Sequence, residues 1–371
     1  MKTCLNLLVL SVITLSAFGQ NTDSLVIAPT HAQLMYEGRV DRSQVDETLI
    51  YWAGTSIQMK FSGTRIGVIL NDEKGENYFQ AIVDGIEQYP IVLDCDSAEH
   101  FYSIAAGLPA GEHVIELVKR TEPWEGFTGF KGFVLYDDGK ILSNEADETM
   151  KIEFYGNSIT SGMGNEDLSI NGRNNQNSFY KNNYLSYAAI TARQLNAGYH
   201  CVSLSGIGIT VSWGDYIMPE IYNRLNPFDA SSQWDFMSWI PDVVVVNLFQ
   251  NDSWLVERPA YDQFKKRFAD GQKPTNEQLI VAHQQFIKKL RIVYPKAFII
   301  CALGSMDATK AGSVWPGIVQ SSVKGLQELG DDKITTFFFD YNGHNGHPTV
   351  FHDFQMANEL TEFIHNTVLK E

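Results

Sequence analysis

The sequence lacks basic clusters, long apolar segments after its first residues, internal repeats and low-complexity stretches. Its 371 residues include 28 lysines and arginines against 44 aspartates and glutamates, which gives a formal net charge of −16. Without a basic cluster, nucleic acid and anionic membrane surfaces are not expected partners. No stretch after residue 20 reaches the roughly 18 apolar residues of a membrane-spanning helix. The composition, 44% hydrophobic and 19% charged, is typical of a globular protein.

Cysteine is also scarce, and one of the four cysteines lies in a targeting segment. The chain begins MKTCLNLLVLSVITLSAFGQ, with Lys2 before an apolar core at 5–17 and small residues after it. This pattern predicts a signal peptide over residues 1–19 and a secreted or periplasmic protein. The remaining Cys95, Cys201 and Cys301 are widely spaced. An odd count at wide spacing is no disulfide framework, so their pairing is left open.

The length of the chain allows two domains. Its two halves also differ in the periodicity of their apolar residues. Residues 25–145 contain short runs closed by glycine or aspartate turns, including SIQMKFSG, RIGVILND, YFQAIVDG, HVIELVKR and FKGFVLYDDG. These runs predict a β-sandwich. The boundary is expected near 143–150.

Residues 150–371 instead alternate apolar strands with amphipathic helices. We predict strands over 151–156, 199–206, 242–248, 297–304 and 334–340, and helices over 184–196, 276–294, 314–329 and 353–369. Because the strands are apolar throughout, they should form a parallel sheet covered by helices on both faces.

Four residues with complementary chemistry follow these strands. Ser158, Gly206, Asn251 and His347 each lie at or shortly after a predicted strand end, and ligands of open parallel sheets bind at that edge. Serine and histidine together can perform acyl transfer. The Ser158 and Gly206 N–H groups and the Asn251 amide could bind the oxyanion. Alone, each residue would be an ordinary helix cap, turn or loop residue, so the prediction rests on their joint placement.

A metal site is the competing interpretation of the segment GHNGHP. His344 and His347 are three residues apart, but they lie in a glycine-rich loop and no third ligand is evident. We therefore predict no metal and no cofactor.

The four blocks together resemble the SGNH (GDSL-like) hydrolase superfamily. GNSIT containing Ser158, SG at 205–206, ND at 251–252 and HP at 347–348 occur in the superfamily's order. This resemblance implies a flavodoxin-like α/β/α domain with a five-stranded parallel sheet. It also implies that Ser158 is the nucleophile and His347 the base.

The N-terminal half is similar to the domain that precedes the catalytic domain in carbohydrate esterase family 2. The resemblance rests on FSGTRIGVILND, FQAIVDG, LPAGEHVIELVKRTE and FKGFVLYDDGKIL. It implies a jelly-roll sandwich and an esterase that removes O-acetyl groups from polysaccharides such as xylan and mannan. The segment KRTE, residues 119–122, is either part of the domain interface or, as is more common, a charged strand end.

Three departures from the family pattern concern the site. Asn157 stands where aspartate is usual, and Phe249 replaces the glycine of the third block, which we expect to narrow or reshape the pocket. The usual aspartate before the histidine is replaced by His344 and Asn345. Some family members use a main-chain carbonyl to orient the histidine, so we expect one near 344–345, with Asp340 as the main rival.

Tryptophans after strand ends are the candidate sugar-binding residues, because aromatic faces stack on sugar C–H surfaces. They are Trp213, Trp254 and Trp315, of which the first two lie nearer the predicted catalytic elements. The expected partner is an acetylated polysaccharide or oligosaccharide. Two alternatives stay open: another acyl hydrolase of this fold, such as a lysophospholipase or thioesterase, and a carbohydrate-binding protein whose catalysis has decayed.

Overall fold

The computed structural model describes residues 24–137, 139–143, 150–169, 176–344 and 346–369. The predicted signal peptide and most of the predicted domain boundary lie outside these residues. No helix among the described residues is long and apolar enough to cross a membrane. Cys95, Cys201 and Cys301 are buried and unpaired.

The N-terminal region folds into two antiparallel sheets. Its strands are β1 (Ser24–Ile27), β2 (Met35–Glu37), β3 (Val40–Asp41), β4 (Thr48–Ile50), β5 (Ser56–Ser62), β6 (Arg65–Asp72), β7 (Tyr78–Val83), β8 (Ile91–Asp94), β9 (Ala98–Ala106), β10 (Glu112–Lys119), β11 (Thr128–Tyr136) and β12 (Lys140–Leu142). One sheet has the order β3-β4-β11-β6-β9 with β1 beside β11, and the other β12-β5-β10-β7-β8 with β2 beside β5. Their inner faces enclose one apolar core, which confirms the predicted sandwich.

A parallel sheet forms the C-terminal region. Its strands are β13 (Met150–Gly156), β14 (Ala197–Ser203), β15 (Val243–Asn247), β16 (Phe298–Leu303) and β17 (Ile334–Phe338). The helices are α1 (Ser158–Ser161), α2 (Tyr187–Gln194), α3 (Met218–Ile221), α4 (Gln250–Leu255), α5 (Asp262–Arg267), α6 (Asn276–Val293), α7 (Trp315–Glu328) and α8 (Val350–Thr367). The sheet order is β14-β13-β15-β16-β17, the 2-1-3-4-5 order of flavodoxin-like folds.

Alternating residues of the central strands fill two separate cores. In β15, Val244 and Val246 pack with α6 and α7, while Val243 and Val245 pack with α2 and α8 on the other face. A strand buried on both faces needs apolar residues at every position. This explains the uninterrupted run VVVV and confirms the prediction of a covered parallel sheet.

The two regions meet through apolar contacts and a buried ion pair. Trp52 of the sandwich joins the core that contains α6 and α7. Arg39, also from the sandwich, donates to Glu153 of β13 at 2.8 and 3.1 Å, and both side chains are buried. Burial raises the pKa of Glu153, but the charge of Arg39 together with His200 and Tyr155 outweighs burial and holds that pKa at about 2. Any other docking of the two regions would separate these side chains and leave a buried charge unpaired. The ion pair therefore specifies how the regions dock.

Candidate active site

Ser158 lies at the sharp turn between β13 and α1, at the carboxyl edge of the parallel sheet. The Asn157 side chain accepts a hydrogen bond from the Ile159 N–H at 3.0 Å and caps α1. The side-chain oxygen of Asn157 therefore caps the helix, as a carboxylate oxygen of the usual aspartate could also do. The turn leaves Ser158 buried yet lining a cavity, as a nucleophile requires.

His347 reaches Ser158 from the loop after β17. Its Nε2 lies 2.8 Å from Ser158 Oγ, within range of direct proton transfer. The neighbouring His344 uses its Nδ1 to donate to the main-chain carbonyl of His347 at 3.0 Å. Through this hydrogen bond the His344 side chain braces the backbone of His347.

The structure argues against Asp340 as the carboxylate that orients His347. Asp340 is exposed at the end of β17, and its charge acts on Glu359 of α8. Within the described residues it forms no hydrogen bond with His347. The other predicted region includes Asn345, which lies outside the described residues, so the main-chain carbonyl remains a prediction.

Burial lowers the pKa of His347 to about 4. The negative charge of Glu122 opposes this shift, while Lys181 and His344 add to it. His347 is therefore neutral at neutral pH, the state in which imidazole can accept a proton from serine.

Three hydrogen-bond donors belong to residues that line the cavity around Ser158. Across the described residues, the N–H groups of Ser158 and Gly206 donate to no other protein atom. The Asn251 side-chain amide donates one hydrogen to the Ile207 carbonyl at 2.8 Å, which leaves its second hydrogen for the cavity. Donors preorganised in this way can stabilise the oxyanion of a tetrahedral intermediate.

The loop that carries Gly206 is fixed by the two residues of the third block. Asn251 Oδ1 accepts from Trp213 Nε1 at 3.1 Å. Buried Asp252 accepts from the N–H groups of Ile209 and Thr210 at 3.0 and 2.7 Å. Gly206 has a φ of +82°, and a Cβ there would lie 3.1 Å from the Trp213 Cβ. Glycine is thus required both by the backbone and by the close approach of Trp213.

A cavity of about 470 Å³ surrounds these groups. Its lining comprises Glu122, Trp124, Glu125, Ser158, Met163, Gln176, Lys181, Ser205, Gly206, Trp213, Asn251, Trp254 and His347. The structure therefore brings together the four predicted catalytic residues and two of the three predicted tryptophans.

Trp315 is a correction to the sequence-based prediction. It begins α7 with only 8% of its surface exposed and packs against Phe249, with ring centroids 5.2 Å apart. It is a core residue and does not line the cavity.

Phe249 is a second correction. Its φ of +78° lies in the left-handed region, which explains why glycine suits this position in the family pattern. The ring points into the core, between His283 and Trp315, and does not narrow the cavity.

Sequence reasoning missed the contribution of the sandwich to the cavity. Glu122 and Glu125 both pair with Lys181 of the C-terminal region, and Trp124 lies between them in the chain. The segment KRTE was the available signal, because its four residues are all buried and the side chains of Arg120 and Glu122 contact the C-terminal region. Its interface interpretation is confirmed.

No cluster of three or more potential metal ligands occurs among the residues that the structure describes. The two histidines of the GHNGHP loop also have different tasks, since His347 faces Ser158 and His344 contacts a carbonyl. The fold is that of the SGNH hydrolases, and the contact between Ser158 and His347 is a geometry that can perform acyl transfer.

Comparisons with known proteins identify the family. A model of the carbohydrate esterase 2 N-terminal domain matches residues 36–144. Cellulase/esterase CelE from Acetivibrio thermocellus is 33% identical over 347 residues, covering 90% of this chain and 39% of that relative. An acetylxylan esterase / glucomannan deacetylase from Cellvibrio japonicus is 24% identical over 351 residues, covering 92% of this chain and 90% of that protein.

Solved structures agree with this assignment. A family two carbohydrate esterase from Clostridium thermocellum, in complex with cellohexaose, is 31% identical with a TM-score of 0.79. The match covers 90% of this chain and 99% of that one. The protein described here therefore belongs to carbohydrate esterase family 2, and it is an esterase.

Proposed function

We propose that this protein removes O-acetyl groups from plant-type polysaccharides, such as xylan, mannan or related oligosaccharides, through an acyl-enzyme on Ser158. The single observation that carries the proposal is the 2.8 Å contact between Ser158 Oγ and His347 Nε2. A decayed binding protein would have no need to maintain this contact. The alternative of a purely carbohydrate-binding protein is therefore less well supported.

In the first half-reaction, His347 Nε2 takes the Ser158 proton as Oγ attacks the acetyl carbonyl. The oxyanion is bound by the N–H groups of Ser158 and Gly206 and by the Asn251 amide. When the intermediate collapses, His347 returns the proton to the sugar oxygen, which leaves as a hydroxyl. Water then attacks the acetyl-enzyme with His347 again acting as base, and acetate is released.

The orientation of His347 is part of the proposal. A main-chain carbonyl of the 344–345 segment would accept the Nδ1–H and fix the tautomer that leaves Nε2 facing Ser158. The exposed position of Asp340 supports this assignment. A carbonyl carries no full charge, so it stabilises the imidazolium less than a carboxylate would.

The proposed substrate class is supported by the cavity and by the relatives. Trp124, Trp213 and Trp254 present aromatic surface to the cavity, and aromatic faces suit the C–H surface of sugars. The Cellvibrio japonicus relative is named an acetylxylan esterase / glucomannan deacetylase. The predicted signal peptide would deliver the protein to the compartment where such polymers occur.

The test is acetate release from acetylated xylan and acetylated glucomannan, with the wild type and Ser158→Ala measured side by side. We expect release by the wild type and none above background by the variant. Equal release from both proteins would refute Ser158 as nucleophile. Turnover of an aryl acetate without release from either polymer would refute the proposed substrate class but retain the esterase mechanism.

A further inference from the structure

Side chains of the N-terminal sandwich hold both the N–H and the C=O of Ser205, the residue before Gly206. We propose that Trp124 and Glu122 are positioning residues of the oxyanion hole, so that the sandwich supplies part of the catalytic apparatus. This inference rests on the proposed serine-esterase chemistry. It concerns the two side chains that contact the loop carrying the Gly206 donor.

Trp124 fixes the orientation of the Gly206 N–H. The indole Nε1 donates to the Ser205 carbonyl at 3.0 Å, and this carbonyl belongs to the same peptide unit as the Gly206 N–H. In a trans peptide, C=O and N–H point in opposite directions. Holding the carbonyl on the Trp124 side therefore directs the N–H away from Trp124. The same hydrogen bond also polarises the peptide and makes its N–H a stronger donor.

Glu122 holds the preceding peptide. Its Oε2 accepts from the Ser205 N–H at 2.6 Å, while its Oε1 accepts from Lys181 Nζ at 3.2 Å. Both carboxylate oxygens are thus engaged by the C-terminal region, and the side chain is buried. With Trp124, Glu122 anchors both the N–H and the C=O of Ser205, which leaves this residue little freedom to rotate.

The segment that carries these two side chains is itself firmly placed. Residues Pro123–Glu125 form a single 3-10 turn, and the Trp124 ring packs against Phe228 at a centroid distance of 4.9 Å. Lys74 donates to the Trp124 carbonyl at 3.0 Å. The turn is therefore tied to both regions of the protein, and it transmits the position of the sandwich to the oxyanion hole.

Trp124→Phe separates this role from sugar stacking, because it retains an aromatic ring and removes only the Nε1–H donor and the second ring. The substrate is 4-nitrophenyl acetate, which contains no sugar. We expect kcat to fall about tenfold with KM unchanged, less than the ~100-fold or greater loss that follows removal of a direct oxyanion donor. Trp239→Phe is the matched control. Trp239 stacks on His200 and does not line the cavity, so its kcat should equal that of the wild type.

A second readout does not depend on turnover. A trifluoromethyl ketone forms a hemiketal with the nucleophilic serine, and its oxyanion occupies the oxyanion hole. We expect Trp124→Phe to weaken this inhibition about as much as it lowers kcat, as transition-state stabilisation requires. Trp239→Phe should bind the inhibitor like the wild type, and thermal unfolding should show that both variants are folded.

Glu122 provides an independent test with a conservative rescue. Glu122→Gln keeps an oxygen that can accept from Ser205, whereas Glu122→Ala keeps none, so kcat should decrease from wild type to Gln to Ala.

If Trp124→Phe raises KM for acetylated sugars but leaves kcat and ketone inhibition unchanged, Trp124 is only a sugar-stacking surface and the inference is wrong. Failure of wild-type acetate release from polymers, with aryl acetate turnover retained, would count against the substrate and not against this inference.

Discussion

Replacing Lys181 by methionine should destabilise the protein strongly, because the lysine neutralises two buried carboxylates between its two regions. Lys181 Nζ lies 3.2 Å from Glu122 Oε1 and also contacts Glu125 Oε1, and the three side chains are 6%, 1% and 6% exposed. Burial lowers the pKa of Lys181, but the two carboxylates outweigh it and the net shift is upward. The lysine is therefore charged in the folded protein.

The magnitude follows from the geometry. Coulomb's law at an effective dielectric constant of about 20 gives about 5 kcal/mol for a pair at the 3.2 Å separation. Desolvation of the ammonium group offsets part of this, and losing one partner of a buried pair typically costs about 3–5 kcal/mol. We expect a loss in that range in the free energy of unfolding at pH 7.5, measured by urea titration.

The loss should be smaller at pH 5. Burial and the charge of Glu122 already raise the pKa of Glu125, and without Lys181 this shift should increase. A carboxyl group with a raised pKa retains its proton in the folded state above the unfolded pKa of about 4.3, so stability falls as the pH rises through that value. Lowering the pH should therefore reduce the difference in the free energy of unfolding between the wild type and Lys181→Met.

Lys60→Met is the control for this experiment. Lys60 Nζ lies 2.8 Å from Glu112 Oε2, a closer pair than Lys181 and Glu122, but the two side chains are 34% and 65% exposed. Solvent screens such a pair, so we expect a loss of no more than about 1 kcal/mol. A Lys181→Met loss as small as that of the control, or one independent of pH, would refute the reasoning.

Three further predictions concern the site. Because His347 must be neutral to act as base and burial lowers its pKa to about 4, kcat/KM should decline only as the pH falls towards 4. A midpoint near the ordinary value of about 6.5 would contradict this. Asp340→Asn should leave turnover unchanged, since the residue is exposed; a loss of about 100-fold or more would make Asp340 the orienting carboxylate. Trp213→Ala and Trp254→Ala should each raise KM on acetylated polymer, and unchanged values in both would disprove sugar stacking.

The fold was largely predictable because its strongest signals are local. The run DVVVVNL predicted a strand over 242–248, and the strand spans Val243–Asn247. The helix predicted over 276–294 spans Asn276–Val293. By contrast, β9 is not among the runs that predict the sandwich, because most of its residues are exposed and it shows no strict alternation of apolar side chains. Local pattern does not identify a strand that is held mainly by its backbone pairing.

The site was predictable only where the topology rule applies. Ser158, Gly206, Asn251 and His347 converge because each follows a strand of one parallel sheet. Trp315 follows the same rule and still fails, because its side chain packs inward against Phe249. Glu122 and Trp124 come from another domain, and their proximity to Ser205 depends on docking across more than 80 residues of chain. The charged segment KRTE indicates an interface there, but no local pattern identifies Ser205 as the residue contacted.

The same domain contact affects the base. Burial lowers the pKa of His347, and within the described residues Glu122 is the carboxylate whose charge raises it again. Lys181 opposes that effect, yet it also holds Glu122 in place through the Oε1 contact. Glu122, a carboxylate from the sandwich, thus influences both the proton transfer from Ser158 and the binding of the oxyanion. It favours the imidazolium that forms when Ser158 is deprotonated, and it anchors the loop whose Gly206 N–H would bind the resulting oxyanion.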